Sequence, residues 1–185
     1  MKFNLKLFNK ANGLPFDVQK INKNTVEFYY LDNIEQHERY TNSGRFAIWA
    51  GKDDIFRVFI QKDYYNALKP FYKKEVNEIW IDFLHSASKK NKKTNLMFIV
   101  PLLIFYVFAA LISSIFFQEQ LMLFLLMMLS VVVVSNYFQN KKLRKDMKIM
   151  NDEAQVKIKK ILGKKVFEEL SVAQDKHYED FFKSN

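Results

Sequence analysis

Hydrophobic and polar positions change period along the chain. Near the start, Phe3, Leu5 and Leu7 alternate with Asn4 and Lys6, the two-residue period of a short strand. Asn12-Gly13-Leu14-Pro15 is a turn signal. A β-branched and aromatic run, Thr25–Leu31, predicts a second strand. Phe46–Ala50 and Ile55–Ile60 predict a hairpin, joined by the four-residue loop Gly51-Lys52-Asp53-Asp54. In its second strand Phe56, Val58 and Ile60 share one face, and Ile55, Arg57 and Phe59 the other. Asn33–Gly44 is polar and reads as a loop. From Asp63 the period becomes helical: Tyr72, Val76, Ile79, Trp80, Phe83, Leu84 and Ala87 recur at helical spacing. The spacing predicts a helix over about 63–93, with Asp63 as N-cap; Pro70 suits the first turn of a helix better than its middle. Residues 1–94 are therefore expected to form an α+β domain, a small antiparallel sheet of three or four strands with a helix covering one face.

Periodicity then gives way to an apolar stretch. Between Leu96 and Phe138 the one charged residue is Glu119, inside the break Gln118-Glu119-Gln120. The flanking runs, 96–117 and 121–138, extend about 33 Å and about 27 Å as helices, against a hydrocarbon core of roughly 30 Å. Residues 95–138 are thus expected to be a transmembrane helical hairpin. The tail, 139–185, is helical by pattern. Leu143, Met147, Met150, Ala154, Ile158 and Ile161 form one stripe, Gly163 is the expected break, and Val166, Phe167, Leu170, Ala173, Tyr178, Phe181 and Phe182 continue on a second amphipathic segment. The stripe lacks the alternating three- and four-residue steps of a coiled coil. Packing on the chain's own domain, on a partner or on the membrane surface are the alternatives for it.

Charge decides the orientation. The net charge is +9, yet residues 1–88 hold 13 Lys/Arg and 11 Asp/Glu. The excess sits at the ends of the apolar stretch: Lys89, Lys90, Lys92 and Lys93 before it, and Lys141, Lys142, Arg144, Lys145 and Lys148 after it. Basic flanks stay cytoplasmic. The expected placement is the cell membrane, with two spans and both termini in the cytoplasm. The same collars are expected to touch anionic lipid headgroups. A near-neutral N-terminal domain lacks the electrostatic term that dominates nucleic-acid binding, so nucleic acid is not an expected partner. The first ten residues have no continuous apolar core, so no cleavable signal peptide is expected. A preference of 25 Lys to 4 Arg, with abundant Asn, Ile and Phe, points to an AT-rich, low-GC bacterial genome.

Candidate chemistry is sparse. The chain has no cysteine, which excludes disulfides, thiolate nucleophiles and Cys-based metal sites. His37 lies between Glu35 and Glu38, but one histidine with two carboxylates lacks the spaced ligand set of a zinc or iron site. No glycine-rich phosphate loop, Walker pattern or nucleophile elbow occurs. No catalytic, cofactor-binding or metal residues are predicted, and no cofactor. The apolar runs contain no Asp, Glu, Lys, Arg or His to resolvate an ion. Ala109/Ser113 and Ala110/Ser114 are overlapping small-xxx-small pairs, expected to pack a neighbouring helix. The expectation is a non-catalytic, membrane-anchored adaptor or accessory subunit that faces the cytoplasm and has a protein partner or forms a homo-oligomer. An oligomeric pore or transport component is the first alternative, and a membrane-tethered enzyme of hydrolase type the second.

Overall fold

The computed structural model describes residues 2–35, 37–116 and 121–184, and divides into two compact units. Unit 1 comprises residues 1–82 together with 155–185; unit 2 is 83–154. Two long helices each contribute to both units: α4 (Lys74–Phe116) and α5 (Leu121–Leu162).

Unit 1 is α+β, with five strands rather than three or four. The strands are β1 (Lys2–Phe3), β2 (Asp17–Ile21), β3 (Asn24–Tyr30), β4 (Ala47–Lys52) and β5 (Ile55–Ile60), in the order β1-β4-β5-β3-β2. The sheet is not wholly antiparallel. β3 and β5 run parallel, with Glu27 opposite Arg57 and Tyr29 opposite Phe59. The chain reaches this arrangement because residues 31–46 cross one face of the sheet between β3 and β4, burying Leu31, Ile34 and Thr41 on the way. β5 then turns back into the place beside β3.

Both hairpins turn on short polar residues in the left-handed region. Asn22 (φ 54) precedes Lys23 between β2 and β3, and Asp53 (φ 56) precedes Asp54 between β4 and β5. The β4–β5 loop is therefore two residues, not four, because Gly51 and Lys52 pair with Phe56 and Ile55. Gly51 is required by contact: a Cβ there would overlap the Phe3 ring.

The expected strand over Phe3–Leu7 divides instead. Asn4 adopts a left-handed conformation (φ 49), so β1 stops and α1 (Leu5–Phe8) begins, placing Leu7 and Phe8 against the sheet. They join Tyr29, Leu31, Ile34, Ala50 and Phe59 in one core cluster. Across the sheet lie Val26, Phe28, Phe56 and Val58, all buried. Both faces are covered, which corrects the expectation of a helix on one face.

The expected helix over 63–93 is also interrupted. α3 (Lys62–Leu68) is followed by a single 3-10 turn with Pro70 near its start, and α4 begins at Lys74. Gln61, not Asp63, occupies the N-cap position of α3, and the Lys62 amide donates to Asp32 Oδ2 at 2.9 Å. The tail packs on unit 1. α6 (Lys164–Ser184) follows Gly163, whose φ of +83 ends α5. His177 and Phe181 pack edge-on against the buried Phe46, and Gln174 donates to the Tyr64 hydroxyl at 3.0 Å.

Candidate functional site

Among the described residues one helix, α4, is long and apolar enough to cross a membrane, and only 6% of its most apolar eighteen residues are buried. A soluble core helix would bury such a surface. Instead Leu103, Ile104, Val107, Phe108, Leu111 and Ile112 are all exposed. Pro101 lies deep inside α4 rather than near a helix start, so the carbonyl one turn before it has no amide donor at the usual distance along the helix.

Three contacts place α5 antiparallel to α4 within unit 2. Lys90 Nζ is 3.6 Å from Asp146 Oδ2, Gln139 Nε2 donates to Asn95 Oδ1 at 2.7 Å, and the Tyr106 hydroxyl donates to the Met128 carbonyl at 2.8 Å. As the residue number rises on α4, its partner's falls on α5. The Tyr106 contact gives its hydroxyl an acceptor among otherwise apolar side chains. Of the small-residue pairs, Ala109 is buried and Ala110 exposed, while the Ser113 hydroxyl donates to the Ala110 carbonyl in its own helix. The side chain of Ser114 and the break Gln118-Glu119-Gln120 lie outside the described residues. Lys89, Lys90, Lys92 and Lys93 are exposed, as are Lys141, Lys142, Arg144 and Lys145. The basic residues next to the apolar run are thus exposed, with Lys90 paired to Asp146.

Within unit 1, a cavity of about 440 Å³ lies between the sheet and its helices. Phe28, Trp49 and Val58 come from the sheet, Tyr64 from α3, Trp80 from α4, Ile158 and Leu162 from α5, and Phe167 and Leu170 from α6. The size falls in the range of small-ligand sites. Several of its polar groups bond to one another or to neighbours: Asn77 Nδ2 donates to Tyr72 Oη at 2.8 Å and to Gln19 Oε1 at 3.0 Å. Burial raises the pKa of the Tyr64 and Tyr72 hydroxyls, so they stay protonated as hydrogen-bonding groups. No Asp, Glu or His is among the lining residues. The cavity can hold an apolar group, with Lys69 and Lys73 among its lining residues.

His37, Glu35 and Glu38 from the sequence, and His177 on α6, do not come together. His37 Nδ1 lies 3.3 Å from the Ile34 carbonyl at the start of α2 (Glu38–Thr41), and Glu35 and Glu38 are exposed. His177 is held by Gln61, its Nε2 being 2.9 Å from Gln61 Oε1. Burial pulls the pKa of His177 down, while Asp63 and Asp180 oppose that shift. Among the described residues, no group of three His, Asp or Glu side chains is placed to hold a metal ion.

Two features escaped the sequence reading. The cavity is assembled from residues far apart in the chain. A cleft lined by Lys6, Lys10, Arg39 and Arg45 joins segments about thirty residues apart. Periodicity, which reads neighbours along one element, carries a signal for neither. No family model, curated protein or solved structure matches this chain.

Proposed function

We propose that the chain is a non-catalytic membrane-anchored adaptor, with residues 96–117 and 121–138 crossing the bilayer as a two-span hairpin and unit 1 in the cytoplasm. The observation that carries this reading is the apolar stretch of α4, largely exposed, with exposed basic residues before it at Lys89, Lys90, Lys92 and Lys93 and others on α5 at Lys141, Lys142, Arg144 and Lys145. Exposed apolar surface of that extent is stable in lipid and costly in water. The apolar cavity of unit 1 supports a binding role, since it is concave and aromatic-lined, with no Asp, Glu or His in its lining. Its occupant would be an apolar segment of a protein partner.

Absence of cysteine permits a direct test of the anchor. Single cysteines replace Gln118 or Ser88, and intact cells are treated with an impermeant maleimide. Labelling of Gln118→Cys but not Ser88→Cys is the expected result; the reverse pattern refutes the orientation. The binding role is tested separately. Ala47 is exposed at the cavity, so Ala47→Arg fills the opening without burying a charge. A partner that co-purifies with the wild-type chain and is lost from this folded variant supports the reading. Equal recovery with both refutes it.

A further inference from the structure

A second concavity in unit 1, of about 550 Å³, lies where α1 and α2 and the turns after them meet. Lys6, Lys10, Arg39 and Arg45 line it, with Tyr40 and Ser43, and no acid is among the lining residues. Glu35 and Glu38, the acids nearest in sequence to the arginines, are exposed and outside the lining. None of the four cations has a salt-bridge partner among the described residues.

This concentration does not follow from the overall charge. Residues 1–82 hold 13 Lys/Arg against 11 Asp/Glu, so a random surface would interleave the two signs. Arginine is also rare, 4 residues against 25 lysines, yet two of the four stand in this cleft. Guanidinium groups present a planar fork suited to phosphate, which an ammonium does not.

The walls are held by packing. Leu7 and Thr41 are buried, and Tyr40 packs against the core cluster. The Ser43 hydroxyl donates to the Tyr40 carbonyl at 2.8 Å, and the Arg45 amide donates to the same carbonyl at 2.9 Å. The cations therefore project from a fixed frame, and their mutual repulsion is relieved by an anion between them.

We propose that this cleft binds a phosphate-bearing anion, with Arg39 and Arg45 supplying the fork and Lys6 and Lys10 the balancing charge. The volume exceeds that of one phosphate and admits a pyrophosphate or a phosphate ester. The same chemistry is offered by a soluble phosphorylated small molecule and by a lipid headgroup. The site stands independently of the adaptor reading and of which side of the membrane unit 1 occupies.

The test uses the full chain in nanodiscs of phosphatidylcholine, titrated with inorganic pyrophosphate by calorimetry. Saturable binding is expected. Arg39→Gln with Arg45→Gln should weaken it by about tenfold or more for each charge-assisted contact removed. Lys20→Gln with Lys52→Gln removes the same charge from exposed positions outside the cleft and should leave affinity within about twofold, apart from general screening. Absence of saturable heat, or equal weakening by both pairs, overturns the proposal. Retained melting temperature in each variant separates binding loss from unfolding. Nanodiscs with a minor fraction of phosphatidic acid then distinguish the sources. If the headgroup is the ligand, phosphatidic acid suppresses pyrophosphate binding to the wild-type chain; if the ligand is soluble, affinity is unchanged. Either result is consistent with the phosphate chemistry.

Discussion

Arg57 ties α1 to the sheet, and replacing it with methionine tests how unit 1 holds its N-terminal segment. Its Nε donates to Glu27 Oε2 at 2.8 Å, a second guanidinium nitrogen donates to the Phe8 carbonyl at 2.7 Å, and its Cζ stands 4.2 Å from the Phe8 ring centroid. The Tyr29 hydroxyl donates to the same Glu27 oxygen at 3.1 Å, so loss of Arg57 leaves Glu27 with one donor. The side chains of Arg57 and Glu27 are 22% and 21% exposed, so the pair is worth less than a fully buried one. About 1–1.5 kcal/mol for the ion pair, about 1 for the carbonyl bond and about 0.5–1 for the ring contact sum to about 3 kcal/mol. Arg57→Met should therefore lower the melting temperature by about 10 °C, followed through Trp49 and Trp80 fluorescence. In a cycle with Glu27→Gln, the double variant should recover about 1 kcal/mol relative to the sum of the singles. A loss below about 1 kcal/mol for Arg57→Met, or zero coupling, would refute this account. Because α1 carries Lys6 and precedes Lys10, the same variant should also weaken pyrophosphate binding.

Two further predictions concern α4 and α6. Ala109 is buried and Ala110 exposed, so Ala109→Leu should overpack unit 2 by about 1–3 kcal/mol, while Ala110→Leu stays within about 0.5. Equal melting shifts in detergent would contradict the assigned faces. His177 has a folded-state pKa below its ordinary 6.5, chiefly through burial, so the unfolded chain binds its proton more readily. Its contribution is present above about pH 6.5 and declines as pH falls toward the lowered folded value. Melting temperature should fall between pH 7.5 and pH 5.5, and His177→Gln should flatten that component; an unchanged slope would show that His177 is not its source.

Much of unit 1 was legible residue by residue, and the exceptions share a cause. The strands at 24–30, 47–52 and 55–60 were visible because their residues alternate over a half-buried surface. β2 was missed because only Ile21 of its five residues is buried, which leaves an edge strand without a strong pattern. The Phe3–Leu7 alternation misled because Asn4 can adopt a left-handed conformation and let α1 turn Leu7 and Phe8 inward. The single helix expected over 63–93 breaks at Pro70, where a 3-10 turn separates α3 from α4, because the end of α3 and the start of α4 depend on packing around it.

By itself the sequence determined the long uncharged stretch, its basic flanks and the strand-rich start, because solvent preference and side-chain period are properties of neighbouring residues. Only the tertiary structure decided the parallel pairing of β3 with β5, the packing of α6 on Phe46, and the meeting of Lys6 and Lys10 with Arg39 and Arg45. Those contacts join residues tens of positions apart. Their energies depend on how the chain closes its loops, which no local pattern encodes.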